Sequence, residues 1–302
     1  MDTGIGKLFF WMRLIAEFVI FGSFYLILDL MKNILYLVHP KKKDINGETV
    51  LVTGAARGIG RELALQLSGL GCNVICVDLN AEGNLRTAQD IVKMGHKAQA
   101  YTCDVSDSAA VEELAKKVGY VDILVNNAGI IFINSILKTQ QSAVSKILEV
   151  NVASHFAMIR NFLPEMLARN KGHIVGVASC GGLIGLNNAS LYSSSKFAVV
   201  GLMNSLSEEL RLQGRSNIKI SCVCPYFVRT IQEIDTEVDA RITPIEAVDA
   251  AREIVQGILQ EQSLFTVPNY WMGLISIVRL LPENTYLKMR DILYTRVKDN
   301  VK

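Results

Sequence analysis

Tyr192 and Lys196 stand four residues apart in the stretch YSSSK, separated only by small hydroxyl residues. On a helix that spacing sets the phenol and the ammonium on one face, about one turn apart. A phenol of pKa about 10 exchanges protons readily at neutral pH only when its phenolate is favoured, and a neighbouring cation does that. Lys196 is such a cation, and a positively charged nicotinamide ring would be a second. Ser179, in VASCGG, offers a hydroxyl that can hold a substrate oxygen in line. Asn151, in LEVNVASHF, offers an amide that can retain the water through which Lys196 meets solvent. Together they suit one reaction type: a proton moves on or off an oxygen while a hydride leaves or reaches its carbon. Taken singly, each has an ordinary role open to it. Ser179 would serve as a turn cap, Asn151 as a partner for helix backbone, Tyr192 as a half-buried aromatic and Lys196 as a surface charge. Four such coincidences in one chain are far less economical than one site.

A hydride carrier needs a cradle, and the first strand leads into one. TVLVTG is a β-branched run, TGAARGIG a glycine-rich turn, and RELALQLSGLG a helical pattern. In that order Gly54 makes the turn, Gly58 lets the backbone approach a pyrophosphate, and Gly60 lets the helix pack closely. The first helical amides then face the phosphate charge. The next strand, NVICVD, ends at Asp78, whose carboxylate can accept from both ribose hydroxyls and repels a 2′-phosphate. Arg57 pulls the other way. NAD is the expected cofactor, with NADP left open.

Further apolar runs follow in AQAYTCDV, VDILVNNAG, GHIVGVAS, IKISCVCP and SLFTVP, with helical patterns at 61–70, 83–95, 107–118, 141–169, 192–213 and 244–260. Strands this uniformly apolar have both faces covered. The fold class is therefore α/β: a doubly wound, mostly parallel, seven-stranded sheet of Rossmann type over about residues 48–302. Ligands in such sheets lie beyond the carboxyl ends of the strands, here Gly54, Asp78, Asp104, Asn126, Ser179 and Pro225.

The chain has 302 residues and a net charge of +2. Its basic residues are scattered, which argues against a nucleic-acid partner. The six cysteines lie mostly in apolar stretches and read as buried thiols of a reducing compartment. The four histidines form no ligand spacing, so no metal is expected. Apolar residues concentrate in 8–38, but the longest uncharged run there, 18–28, is eleven residues, short of the roughly 20 that cross a bilayer. Arg13, Glu17, Asp29 and Lys32 fall on one side of a helix. A membrane anchor is expected over 1–40, as an interfacial or hairpin helix or a single span. A basic linker follows at 41–47, whose Lys41, Lys42 and Lys43 favour a catalytic domain on the cytosolic side.

TGAARGIG, NNAG at 126–129, Asn151, Ser179 and YSSSK together resemble the short-chain dehydrogenase/reductase family. The resemblance covers essentially 48–302. It implies Tyr192 as catalytic acid/base, Ser179 as donor to the substrate oxygen, Lys196 as tuner of the tyrosine and holder of the nicotinamide ribose, and Asn151 as part of a proton relay. It also implies cofactor contacts from Gly54, Arg57, Gly58, Ile59, Gly60, Asp78, Asp104, Val105, Asn127, Ala128 and Gly129, and from Pro225, Val228 and Thr230. Pairing of two copies through helices at about 152–169 and 192–213 is a further implication. One departure stands out: the family's Pro-Gly is Pro225–Tyr226 here. The segment that would cover the substrate, 231–243, is short. The anchor, HPKKKDINGETVLVTGA, CPYFVRT and the apolar tail 264–281 resemble a narrower branch, the membrane-anchored retinol dehydrogenases and 17-beta-hydroxysteroid dehydrogenases 11 and 13 of the endoplasmic reticulum and lipid droplets. That implies a hydrophobic small-molecule substrate (a retinoid, steroid or related lipid alcohol) and membrane lipid as a partner. In the tail, Trp271, Met272, Leu274, Ile275 and Ile277 would lie either on the bilayer beside the cleft or against the sheet. Two other functions compete: an NADPH-dependent carbonyl reductase of the same fold, and a lipid-surface scaffold with vestigial activity.

Overall fold

The computed structural model describes residues 4–38, 41–230, 238–239, 243–293 and 296–297. The chain divides into two units, Met1–Lys43 and Asp44–Lys302. In the first, helix α1 runs Gly4–Val38, and its window Lys7–Tyr25 is long and apolar enough to cross a membrane. A secretory signal helix or an in-plane helix would share those properties. On it Arg13 pairs with Glu17 at 2.7 Å, an i,i+4 contact between two of the charges expected on one side.

The second unit is built on seven strands: β1 Thr49–Thr53, β2 Asn73–Asp78, β3 Ala98–Thr102, β4 Ile123–Asn126, β5 Gly172–Val177, β6 Ile218–Pro225 and β7 Leu264–Val267. They form one sheet in the order β7-β6-β5-β4-β1-β2-β3, every neighbour parallel. Side-chain alternation assigns the two faces. Leu51 and Leu124 point into a core shared with Met158, Phe162, Val199 and Met203. Val50, Val52 and Val125 point into another with Leu63, Leu67, Ile91 and Ile254. Helices therefore cover both faces: α2 Gly58–Gly69, α3 Ala81–Lys93 and α8 Ala247–Leu259 on one, and α4 Ser108–Val118, α6 Ser154–Arg169 and α7 Ser190–Leu212 on the other. All the strands expected from the sequence form, some shorter at their ends. The reversal of strand order between β1 and β4 opens a crevice at the carboxyl edge.

The helix expected over 141–169 is not continuous. It is split into α5 Gln141–Leu148 and α6 by a π-helical turn, Glu149–Ala153. The wider turn rotates the helix and buries Asn151. The tail forms two helices, α9 Tyr270–Arg279 and α10 Glu283–Leu293.

Two close approaches define the ground under the crevice. A Cβ on Gly60 would overlap the Gly54 carbonyl oxygen, so α2 meets the β1 turn at a distance only glycine allows. Below the other wall, His155 is buried at the start of α6, and neither ring nitrogen has a partner among the described residues. Burial, helped by the nearby Lys196 charge, pushes its pKa down to about 3.

Gly60→Ala should therefore lower the unfolding free energy by about 1–3 kcal/mol; chemical denaturation with an unchanged midpoint would contradict the close approach. His155 is neutral when folded, whereas the unfolded chain takes up its proton below about pH 6.5. Its contribution is thus fully present above that pH and is lost as pH falls toward 3. Between pH 6.5 and 5, His155→Leu should flatten the stability curve by roughly 1–2 kcal/mol relative to the parent chain. Parallel curves would contradict a buried neutral imidazole.

Candidate active site

A cleft of about 1070 Å³ runs across the carboxyl edge of the sheet. At one end lies the glycine turn. Gly54 and Gly58 have φ of +70° and +56°, backbone that side chains resist. A Cβ on Gly58 would come within 3.0 Å of the Thr230 methyl group. Arg57, extended and exposed, precedes the first turn of α2, whose free amides face the cleft mouth. Ile59 lines the same end. Asp78 closes it: one carboxylate oxygen accepts from Ala56 N at 2.9 Å and the other from Asn80 N at 2.8 Å. The carboxylate so orders the loop while keeping lone pairs for hydroxyl donors.

Asp104 accepts from the Ser106 hydroxyl at 2.6 Å and the Ser106 amide at 2.9 Å, with Lys146 Nζ at 3.8 Å. These partners, the Ser106 hydroxyl foremost, hold its carboxyl below the usual range. Val105 is buried beside it. The NNAG loop hangs on Thr53, whose hydroxyl accepts from Asn127 N at 2.9 Å and Ala128 N at 3.0 Å. Thr53 reads as plain strand in the sequence, and nothing there reveals this role. Gly129, Pro225, Val228 and Thr230 line the middle of the cleft. The glycine turn, the carboxylate at its end and the open floor fit a dinucleotide without filling by side chains.

At the centre, Ser179 and Tyr192 both line the cleft, and the serine hydroxyl lies 3.5 Å from Pro225 O, to which it donates. The Ser179 hydroxyl is itself fixed by Gly181 N at 3.0 Å. Lys196 is buried, donates to Val177 O at 3.0 Å, and sits 5.8 Å from the Tyr192 ring centroid. The expected lowering of the tyrosine is not what this arrangement produces. Desolvation dominates and pushes the phenol up to about 12, against the easing effect of the Ser179 hydroxyl and with the Cys180 and Cys224 thiols adding to the rise. The same burial pushes Lys196 down to about 8, which leaves it mostly protonated at pH 7. With the phenol this deeply buried, a further positive charge brought into the cleft would favour its phenolate.

Asn151 does not line the cleft. Its Oδ1 accepts from Ile130 N at 2.8 Å, and its Nδ2 donates to Ile130 O at 2.9 Å and Ser195 Oγ at 3.0 Å. The carboxamide thus clamps the Ile130 backbone. It still converges with the lysine, since a Cβ on Gly129 would stand 3.3 Å from both Asn151 Oδ1 and Lys196 Nζ.

The far end of the cleft is apolar, walled by Ile131, Phe132 and Ile133 on one side and Tyr226, Trp271 and Leu274 on the other. Of the tail residues expected at the bilayer or on the sheet, Trp271 and Ile275 are buried in the core, while Ile277 stays exposed. Residues 231–237 and 240–242 of the expected cover lie outside the described residues. Sequence reasoning missed Phe132, Leu186 and Lys146, which come from loops and a helix face without a motif.

A family model described as short chain dehydrogenase matches residues 48–240. Similar curated proteins include short-chain dehydrogenase/reductase family 16C member 6 of Bos taurus, 38% identical over 87% of this chain and 86% of that one. Epidermal retinol dehydrogenase 2 of Mus musculus is 36% identical over 88% and 89%. The 17-beta-hydroxysteroid dehydrogenase 13 of Homo sapiens is 36% identical over 82% and 84%. Among solved structures, a metagenomic short-chain oxidoreductase in complex with NADP superposes with a TM-score of 0.63 at 28% identity, covering 74% of this chain and 96% of that one. A short chain dehydrogenase/reductase from Burkholderia phymatum in complex with NAD gives 0.71 at 24% identity over 86% and 99%, a likeness of fold. With a family match over most of its catalytic unit and relatives covering nearly its whole length, the chain belongs to the short-chain dehydrogenase family.

Proposed function

We propose that this protein transfers a hydride between NAD(H) and a lipophilic alcohol or its carbonyl partner, with Tyr192 as general acid/base. The observation that carries the reading is that Ser179, Tyr192 and Lys196 line one cleft together with the glycine turn, Asp78 and a set of apolar residues. Bound at the cradle, a nicotinamide supplies the hydride chemistry and a positive ring. Gly54, Gly58 and the start of α2 take the pyrophosphate, and Asp78 and Asp104 the adenosine end. Lys196 holds the ribose hydroxyls. Ser179 donates to the substrate oxygen, and Tyr192 takes the alcohol proton in oxidation or returns it in reduction. Asn151 positions Ile130 and, through Ser195, α7. NAD is favoured because the Asp78 carboxylate would stand against a 2′-phosphate. Exposed Arg57 and the NADP-bound relative keep the phosphorylated cofactor as the second reading.

Relatives named for retinol and estradiol support a retinoid or steroid-like substrate, as does the apolar end of the cleft. The apolar helix α1 supports attachment to membrane lipid, at the endoplasmic reticulum or a lipid droplet surface as the branch resemblance implies. A groove along α6 and α7, with Phe156 and Phe197 exposed on the same helices, supports pairing of two copies.

Tyr192→Phe should cut turnover of lipid alcohols about 10²–10⁴-fold while calorimetry still detects dinucleotide binding; appreciable residual turnover would refute the assignment of the phenol. Parent protein should bind NADH more tightly than NADPH, and Asp78→Asn should narrow that gap by about tenfold, the value of about one charge interaction in partly screened surroundings. A gap that does not move would remove Asp78 as the discriminating group.

A further inference from the structure

Where the family resemblance expects glycine after the proline of β6, this chain has Tyr226, and the structure gives that ring a partner. Tyr226 lies 4.7 Å from the Trp271 ring, centroid to centroid, with the planes 22° apart. Phe227 meets Tyr226 edge-on at 5.0 Å and 89°. Both stacked residues line the apolar end of the cleft, continued by Leu274 and Val278.

The pair is held from both sides by the edge of the sheet. Tyr226 N donates to Val267 O at 2.8 Å, extending the register in which Pro225 faces Val267. Trp271 opens α9, and α9 is tied to β7 through the buried Thr266. That hydroxyl accepts from Met272 N at 2.8 Å and donates to Pro268 O at 2.7 Å. Trp271 is 3% exposed, and its indole Nε1 has no partner among the described residues. The indole therefore backs the partly exposed Tyr226 ring, which presents the accessible face of the pair.

We propose that Tyr226 and Trp271 act as one stacked plate that makes the substrate end selective for rigid, ring-bearing lipid alcohols over flexible straight-chain ones. This rests on the reading that a lipid alcohol occupies the apolar end. A fixed flat wall gives its full contact to a flat rigid molecule, which has few rotors to freeze. A flexible chain gains less from the flat face and loses rotational freedom on lying along it. Glycine in place of Tyr226 would leave Trp271 without its stacking partner and remove the accessible ring of the wall.

The test compares kcat/KM for a 17-hydroxysteroid and for a straight-chain secondary alcohol of matched carbon number, with melting curves to check folding. Parent protein should prefer the steroid. Tyr226→Val and Trp271→Leu should each reduce that preference about three- to tenfold, the double variant should lose no more than the worse single, and Tyr226→Phe should retain it. A preference unchanged in Tyr226→Val, or losses that multiply in the double variant, would overturn the plate. So would a parent protein that oxidises both alcohols without preference. Should Trp271→Leu fail to fold, Tyr226→Val against Tyr226→Phe decides alone. Oxidation of neither alcohol, with dinucleotide binding intact, would instead remove the lipid-alcohol reading on which the plate depends.

Discussion

Lys196 keeps an amino group largely away from water, donating to the Val177 carbonyl at 3.0 Å. Such burial disfavours the charged form of any ionisable group, and here it acts on three neighbours at once. It pushes the lysine toward neutrality, raises the Tyr192 phenol, and holds His155 uncharged. The consequence is a centre whose proton affinities await an incoming charge. A pyridinium ring brought to the cradle would enter surroundings with little solvent to screen it, so its effect on the phenol would be large. Under the proposed function, the cofactor would act on the acid as well as serve as the hydride partner.

Much of this was legible in the residues. Two-sided burial could be read from the nearly continuous apolar runs of the central strands, whereas the edge strand β3, with no buried residue, followed from its place in the alternation of strands and helices. The glycine turn, Asp78 and YSSSK fell on elements whose ends meet in one crevice, because strand-end positions follow from topology alone. Two things were not legible. A π-helical turn costs the sequence no distinctive residue: EVNVA is ordinary helix by propensity, and only the fit of Asn151 to the Ile130 peptide makes the wider turn worthwhile. The direction of the tyrosine shift was also hidden. Spacing shows that a lysine is near, whereas the balance between its charge and lost hydration depends on depth, which no local pattern encodes.

The tail shows the same limit from another side. WMGLISIV is apolar on several faces, and composition alone left bilayer and sheet equally served. Packing sorted the residues by helical phase: Trp271, Ile275 and Val278 turned inward at i, i+4 and i+7, while Ile277 was left outside. A departure from the family pattern, Tyr226, then met the inward-facing tryptophan and became structurally intelligible only through it.

The Asn151 clamp ties two surfaces that substrate and chemistry would otherwise use separately. One carboxamide grips both sides of the Ile130 peptide, the head of the wall formed by Ile131 and Phe132. The same group reaches Ser195, whose hydroxyl donates to the Tyr192 carbonyl at 2.7 Å. Under the proposed function, a ligand too bulky for that wall would pull on the helix that carries Tyr192, so that enlarging the pocket on this side would also shift the proposed proton donor.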